Sequence, residues 1–471
     1  MQTTAPQSAA PAVPLPAAFV RQVHALLGDA EATALCAALD GTPPVSLRLN
    51  AQKAAAALPA AADGTVPWCA DSGRYLVCRP RFTGDPLLHA GAYYVQEAAS
   101  MAIALAAKAL PEAPRRVLDL CAAPGGKSTL WRAVLPDDCL LVANEPIGQR
   151  AQILRENLEK WGHSAIVVTQ AYPEAFAPLA GLFDVVAADV PCSGEGMFRK
   201  DHDARSEWSA DSPALCAERQ RAIIADIWPA LRTGGCLVYS TCTFNSLENE
   251  DNVDWICRTL GAEVLPIAAD DAWGITGDIS GRGLPVCRFL PHRTRGEGFF
   301  MALLRKTAET PATRRGKSRG KDRGRSGSAA VQGAKNVAPW LDNASAYRIL
   351  RTDDVHLAAI PESMADDAQR IAQNVRTLAV GTELAEEKGR KMVPAHALAL
   401  AAALRADAFP RVALGRDDAL AYLRREALTL PEGTPRGYVV VAYEGLPLGF
   451  VNNLGARANN LYPAAWRIRC V

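Results

Sequence analysis

No CxxC pair occurs among the 12 cysteines of this 471-residue chain, and no His/Cys group has zinc-finger spacing. A zinc module is therefore excluded, and no metal is expected. Twelve cysteines are also far too few for a disulfide scaffold, so they read as thiols of a reducing compartment, most of them small core residues. Long apolar runs are missing too. The stretch 397–404 falls far short of the roughly 20 residues that span a bilayer. The first basic residue is Arg21, so the charged start of a signal peptide is absent. These absences predict a soluble, cytoplasmic protein with no membrane partner. Net charge is lacking as well: 51 Lys and Arg face 50 Asp and Glu, a balance of +1. Total charge thus says nothing about a nucleic-acid partner; only its distribution can. No oligomerisation signal is visible, and a monomer is expected.

Apolar residues are plentiful at 49%, and the length suits about three domains. Residues 1–16 read as a loose tail rich in Ala and Pro. Residues 17–113 mix helix and strand patterns, with a helix over 99–110 closed by Pro111 and Pro114. Over 114–306, short apolar runs (117–120, 140–143, 165–169, 183–188, 236–240 and 298–304) alternate with helical stretches at 149–161 and 214–231. Asn245 followed by Glu248 reads as a capping box opening a helix that reaches about residue 260. Such alternation predicts an α/β fold with a mainly parallel sheet, whose ligands lie beyond the carboxyl ends of the strands. Residues 307–338 break the pattern: Arg314, Arg315, Lys317, Arg319, Lys321, Arg323 and Arg325 sit among Gly and Ser. This is a basic linker, either an inert spacer or an electrostatic tether for phosphates. Residues 339–471 carry a helix pattern at 417–425 and strands at 437–443 and 448–452, a small α/β or β-rich module.

The chemistry-bearing residues cluster at predicted strand ends. After the first strand of the α/β region comes Cys121-Ala122-Ala123-Pro124-Gly125-Gly126-Lys127-Ser128, a tight turn where backbone can approach a ligand. A P-loop needs Gly five residues before Gly126, where Cys121 stands, and no GxGxxG occurs at this turn. The second strand ends in Asn144-Glu145, an acid suited to a ribose diol. The fourth runs into Asp189-Val190-Pro191-Cys192, and the fifth into Thr241-Cys242. A single cysteine is most simply a small buried residue. Two at neighbouring strand ends, one close to Asp189, point to thiol chemistry, with Arg199, Lys200 or the turn after Cys242 as sources of positive potential.

These residues resemble the Sun (Fmu) family of S-adenosylmethionine-dependent RNA 5-methylcytosine methyltransferases, and within it the RsmF-type bacterial enzymes that modify small-subunit ribosomal RNA. The motifs are DLCAAPGGKS at 119–128, DVPCSGEGMFRK at 189–200, STCTF at 240–244 and RFLPHRTRGEGF at 288–299, with LRLN at 47–50 and YVQEAASM at 94–101 upstream. Resemblance is strong over about 15–306 and weaker beyond. It implies a Rossmann-like class I methyltransferase core, a small α+β N-terminal RNA-binding domain and a C-terminal RNA-binding extension. It also implies S-adenosylmethionine as cofactor and ribosomal RNA or the small ribosomal subunit as partner. By the same resemblance, Cys121 to Lys127 cradle the methionine portion of the cofactor and Glu145 binds its ribose. Asp189 contacts the cofactor or the target base, Cys242 is the nucleophile and Cys192 assists product release. The family often has an acid after the third strand, near the adenine; Gln170 takes that place here. Val190 replaces a common Ala.

Two thiols suit this reaction. Cytosine carbon 5 becomes nucleophilic only after a thiolate adds to carbon 6, and a second basic group must then help remove the carbon 5 proton. The base must be unpaired or flipped out. Lys200 and Arg199 are expected to contact RNA, with His292, Arg293 and Arg295 as surface charges or further contacts. Arg48 and Asn50 are either RNA contacts or loop caps. Two other functions remain open from sequence: a DNA cytosine methyltransferase, whose nucleophile sits in a Pro-Cys pair like Pro191-Cys192, and a non-catalytic assembly factor on the same scaffold. Thr241-Cys242 favours RNA, and the intact Asp189, Cys192 and Cys242 favour catalysis.

Overall fold

The computed structural model describes residues 13–53, 58–309 and 331–469. The basic run at 314–325 and most of the expected N-terminal tail lie outside them. The N-terminal part opens with helices Ala17–Leu27 and Asp29–Leu39. A four-stranded sheet follows, ordered β2-β3-β1-β4, from β1 (Val45–Leu49), β2 (Ala62–Thr65), β3 (Gly73–Leu76) and β4 (Tyr93–Val95). The expected helix at 99–110 begins as a 3-10 turn, Ala99–Ala102, and continues as Ile103–Lys108.

The central layer is a nine-stranded sheet. Its parallel strands are β5 (Arg116–Asp119), β6 (Leu140–Asn144), β7 (Ile166–Thr169), β8 (Phe183–Asp189) and β9 (Leu231–Thr241), in the order β9-β8-β5-β6-β7. Antiparallel β10 (Ala262–Leu265), β11 (Cys287–Phe289) and β12 (Phe299–Lys306) extend the β9 side. Buried on both faces, these strands read as continuous apolar runs, as parallel strands must. Strand order reverses at β5, so a crevice opens above β5 and β8, where ligands settle in such sheets. The Rossmann-like expectation holds. One detail differs: Glu248 N does donate to Asn245 Oδ1 (2.9 Å), but the helix starts only at Glu250. Asn245 and Glu248 serve the loop before it instead.

The C-terminal part holds β13 (Tyr347–Arg351), β14 (His356–Pro361), β15 (Thr377–Val380), β16 (Thr382–Lys388), β17 (Lys391–Pro394), β18 (Arg411–Ala413), β19 (Gly437–Tyr443), β20 (Leu446–Asn453) and β21 (Ala458–Asn460). They form two four-stranded sheets, β13-β14-β16-β17 and β18-β19-β20-β21, with β15 left over. β15 pairs antiparallel with β7 and closes the edge of the central sheet. The helix before it, Ala365–Asn374, buries Ala365, Ala368 and Ile371 in the same apolar cluster as Val186, Ile224 and Phe300. Sequence periodicity could not reveal this, because a four-residue strand on another segment's edge has no signature of its own. The expected linker also ends early, since Val337 in the short helix Ala334–Val337 is fully buried.

All three parts meet at the end of helix Gly148–Trp161. Lys53 donates to Ala90 O (2.7 Å) and Lys160 O (2.5 Å), Asn50 to Gly91 O and Trp161 O (both 3.0 Å), and Ala402 N to Gly162 O (3.0 Å). Gly162 closes the helix in the left-handed region (φ +85°), and a Cβ there would stand 2.3 Å from Leu400 O. Burial pushes the Lys53 ammonium down to about 7.

Because Ile371 belongs to the core of the central sheet, Ile371→Ala is expected to cost the whole protein about 2–5 kcal/mol. Calorimetry should show one unfolding transition moved down. A separate early transition, with the remainder unmoved, would mean that the C-terminal part is only tethered.

Candidate active site

Five strand ends deliver the site. β5 ends at Asp119, and the chain turns through Gly125 (φ +114°) into helix Gly126–Val134. Ser128 Oγ donates to Asp119 Oδ2 at 2.6 Å. Asp119 is enclosed, and burial pushes its carboxyl up to about 7, with Ser128 pulling the other way. Cys121 sits beside Asp189, Asp119 and Glu145; burial first and those acids next push its thiol up and keep it neutral. At the end of β6, Glu145 is buried. Its Oε1 accepts from Ile147 N (3.0 Å) and its Oε2 lies 3.3 Å from Arg150. Gln170, after β7, donates Nε2 to Pro146 O (3.3 Å), which holds it against the turn that carries Glu145. Its backbone N donates to Arg376 O, just before β15, so the C-terminal part reaches this rim. Ile147 and Tyr172 project from the same turns, 47% and 59% exposed.

β8 and β9 bring the reactive groups together. Asp189 accepts from Lys127 Nζ and from Ser240 Oγ, each at 2.8 Å. Burial works against the Lys127 ammonium, but Asp189 and then Cys242 outweigh it, and its pKa lies above the ordinary lysine value. The Cys192 and Cys242 sulfurs lie 3.1 Å apart, within hydrogen-bonding reach, and Cys242 N points to Cys192 Sγ at 3.3 Å. The hydrogen bond that the Cys192 S–H donates to the Cys242 sulfur, with burial, raises the Cys192 thiol well above its ordinary value. Lys127 Nζ also stands 5.5 Å from the Phe299 ring.

Most of the buried polar groups around the thiols hold loops in place. Glu195 Oε2 accepts from Phe244 N (2.8 Å) and Asn245 N (3.1 Å), and its Oε1 accepts from Asn245 Nδ2 (3.1 Å) and from Gln22 (2.7 Å) in the first helix. Gly196 N donates to Cys242 O at 2.9 Å. Gly196 and Gly298 stack backbone on backbone; a Cβ on Gly298 would lie 2.6 Å from the Phe244 ring and 2.8 Å from Gly196 Cα. Phe19, from the first helix, packs edge-on to Phe198 and tilted to Phe244, behind both cysteine loops. Arg288 donates to Phe244 O (2.6 Å) and pairs with Glu250 (2.6 and 2.7 Å) inside the core. Sequence reasoning missed these braces. Their one visible signal was acids, Glu195 among them, standing inside runs otherwise Gly-rich or apolar.

Two expected RNA contacts are corrected. Arg48 is fully buried: it donates to Gln96 Oε1 (2.9 Å) and Thr129 Oγ1 (2.6 Å) and stacks 4.4 Å over Trp161. It joins the N-terminal sheet to the helix after the Gly turn, and no RNA can reach it. Arg199 is buried on Glu297 (3.0 Å) and Gly296 O (2.5 Å). Asn50 is a helix cap, as described. His292 and Arg293 both reach Glu31 at 2.7 Å, and Arg295 pairs with Asp63. Lys200 is exposed. It lines a groove of about 370 Å³ between the N-terminal sheet and the core, with Arg79, Arg295 and Glu97. Among the described residues no His/Cys/Asp/Glu group could hold a metal ion, and no helix is long and apolar enough to cross a membrane.

Residues 106–305 match the family model of 16S rRNA methyltransferase RsmB/F, residues 15–98 that of the N-terminal domain of 16S rRNA methyltransferase RsmF, and residues 409–468 that of the methyltransferase RsmF PUA domain. Ribosomal RNA small subunit methyltransferase F of Klebsiella pneumoniae (strain 342) is 32% identical over 416 residues, covering 84% of this chain and 83% of that protein. Its counterpart in Enterobacter sp. (strain 638) is 32% identical over 413 residues, with the same coverage. Among solved structures, NSun6 from Pyrococcus horikoshii with SFG superposes with a TM-score of 0.52 at 20% identity, over 63% of this chain and 100% of that one. PH0851 gives 0.56 at 23% identity, over 62% and 66%. At those identities the two share a fold with this chain.

Two stability outcomes follow from the geometry. Arg288→Met leaves Glu250 buried without its cation and should cost about 3–5 kcal/mol in denaturant unfolding; a loss under about 1 kcal/mol would show the pair to be dispensable. Asp119 is raised in the folded state, so its favourable contribution is full below the unfolded value near 4 and is lost as pH rises through about 7. Asp119→Asn should therefore gain Tm relative to the parent at pH about 8, and less or none near pH 5. An equal difference at both would contradict that environment.

Proposed function

The chain belongs to the RsmB/F family of 16S rRNA methyltransferases, and from that premise we propose that it methylates carbon 5 of a cytosine in small-subunit ribosomal RNA through a covalent Cys242 adduct. The observation that carries this reading is the pair of sulfurs 3.1 Å apart, at the ends of adjacent strands and beside the Lys127–Asp189 ion pair. Neither a binding scaffold nor single-thiol chemistry needs that arrangement.

S-adenosylmethionine, when bound, supplies the methyl group. The chain offers a site that fits it. The turn from Cys121 to Lys127 crosses the crevice at the strand-order reversal, and Glu145 presents a carboxylate one strand away. Ile147 and Tyr172 give exposed apolar flanks on the rim, beside Gln170. Glu145 would accept from the ribose hydroxyls, and Gln170 would face the adenine edge with donors and an acceptor where an acid offers acceptors only.

Cys242 adds its sulfur to carbon 6, and the ring becomes electron-rich at carbon 5. Lys127, the protonated neighbour of Asp189, offsets charge developing on the ring. Once carbon 5 carries the methyl group, its proton must leave and the carbon–sulfur bond must break. Cys192, at hydrogen-bonding distance from the leaving sulfur, takes that proton directly or through water. Lys200, exposed in the groove with Arg79 and Arg295, contacts RNA phosphate, and the region matching the PUA model adds a second RNA contact.

Cys242→Ala should abolish methyl transfer to 16S RNA while RNA affinity stays within about twofold. Filter binding beside a tritiated-methyl assay reads both. Methyl transfer by that variant at the parent rate would remove Cys242 from the chemistry.

A further inference from the structure

Glu248 takes part in none of those steps, yet it lies behind the thiol pair. It follows Cys242 by six residues and is fully buried. Its carboxylate accepts from Ser193 N (2.9 Å), Gln220 Nε2 (2.7 Å), Asn245 Nδ2 (2.7 Å) and the Ser193 hydroxyl. Gln220 is held in turn by Tyr239 and Asn252, and donates to Pro191 O at 3.0 Å. Both residues flanking Cys192 are thus tied to one network. Three of the four donors are N–H groups, which an ionised acid satisfies and a protonated one would not fully. Burial pushes the Glu248 carboxyl up, and the hydrogen bonds pull it back.

No Lys, Arg or His pairs with Glu248 among the described residues. The other titratable groups facing it are Glu195, Cys192, Cys216 and Tyr239. The nearby cation, Arg221, is engaged at one remove, on Asn252 Oδ1 (2.7 Å). An uncompensated negative charge therefore stands against the loop of Cys192, while Lys127 faces Cys242. In a low-dielectric setting that difference is felt strongly.

We propose that Glu248 is a positioning residue that decides which of the two sulfurs carries the proton they share: it holds the proton on Cys192 and leaves Cys242 free to attack. The inference rests on the covalent reading above. In the resting pair, the Cys192 S–H donates to the Cys242 sulfur. As that sulfur bonds to carbon 6, the displaced electron pair collects at ring N3, which takes a proton from water, and the Cys192 proton, no longer held by the Cys242 sulfur, passes to solvent. Cys192 is left as a thiolate. Once carbon 5 carries the methyl group, that thiolate accepts the carbon 5 proton, the C5=C6 bond re-forms, and the electrons of the breaking carbon–sulfur bond return to Cys242. The N3 proton passes to solvent.

The test is peptide-resolved alkylation of the full-length protein by iodoacetamide over a series from about pH 6 to 10, with no RNA present. The parent should alkylate Cys242 well ahead of Cys192. In Glu248→Gln the ratio of the two rates should fall about tenfold or more, with Cys192 reacting from lower pH. Glu248→Asp keeps the charge and should keep the order. Ser193→Ala keeps the charge and loses one donor, and should hold the ratio within about twofold. An unchanged ratio in Glu248→Gln, or the same fall in Ser193→Ala, would overturn the inference by assigning the effect to packing. So would equal acceleration of both thiols. Because the assay needs no methyl transfer, failure of the covalent reading would show separately, in Cys242→Ala.

Discussion

Two loops that follow adjacent parallel strands must hold their sulfurs within hydrogen-bonding distance, and much of the core around them meets that demand. Loops at strand ends are ordinarily the mobile part of an α/β fold. Here they are cross-linked by buried carboxylates. Glu195 leaves the first loop and holds two backbone amides of the second. Glu248 leaves the second and holds the backbone and side chain of the first. Burying an unpartnered carboxylate is costly, so each persists only because several donors converge on it. Such a clamp is geometrically strict: removing a donor leaves a buried charge short of partners. The close approach of Gly196 to Gly298, with Phe19 behind, sets the same loops from the other side.

The outer parts of the chain are structural participants in this site as well as candidate RNA contacts. The first helix supplies Phe19 and Gln22 to the rear of the cysteine loops. The N-terminal sheet sends buried Arg48 to the helix that follows the Gly turn. The C-terminal part closes the sheet edge with β15 and meets Gln170 on the rim expected to face the cofactor. The outer parts are therefore packed onto the core around the site, in contrast to beads on flexible string.

What was legible in the sequence followed from local chemistry. Apolar runs and helical spacing located every parallel strand of the core, and the residues after those strands located the site, because parallel sheets place ligands there. The Sun-family resemblance is borne out at the level of the family, as is the Rossmann-like fold. Interactions without a local period stayed hidden. Arg48 and Arg199 look like surface cations in one dimension; only the fold shows Gln96, Thr129 and Trp161 closing around the first and Glu297 meeting the second. β15 is four residues that acquire meaning from β7, over 200 positions upstream. Glu248 reads as half of a capping box, and its Asn245 contact is real, but the carboxylate turns toward Ser193 and Gln220.

The most direct test of the central claim is to express Cys192→Ala in cells and isolate protein that carries RNA covalently. If Cys242 attacks and Cys192 assists release, this variant should stall as an adduct whose RNA, once sequenced, is small-subunit ribosomal RNA broken or blocked at one cytosine. The adduct should vanish in Cys192→Ala/Cys242→Ala. A variant that forms no adduct and methylates at the parent rate would contradict the division of labour between the thiols, and an adduct on DNA would contradict the RNA substrate.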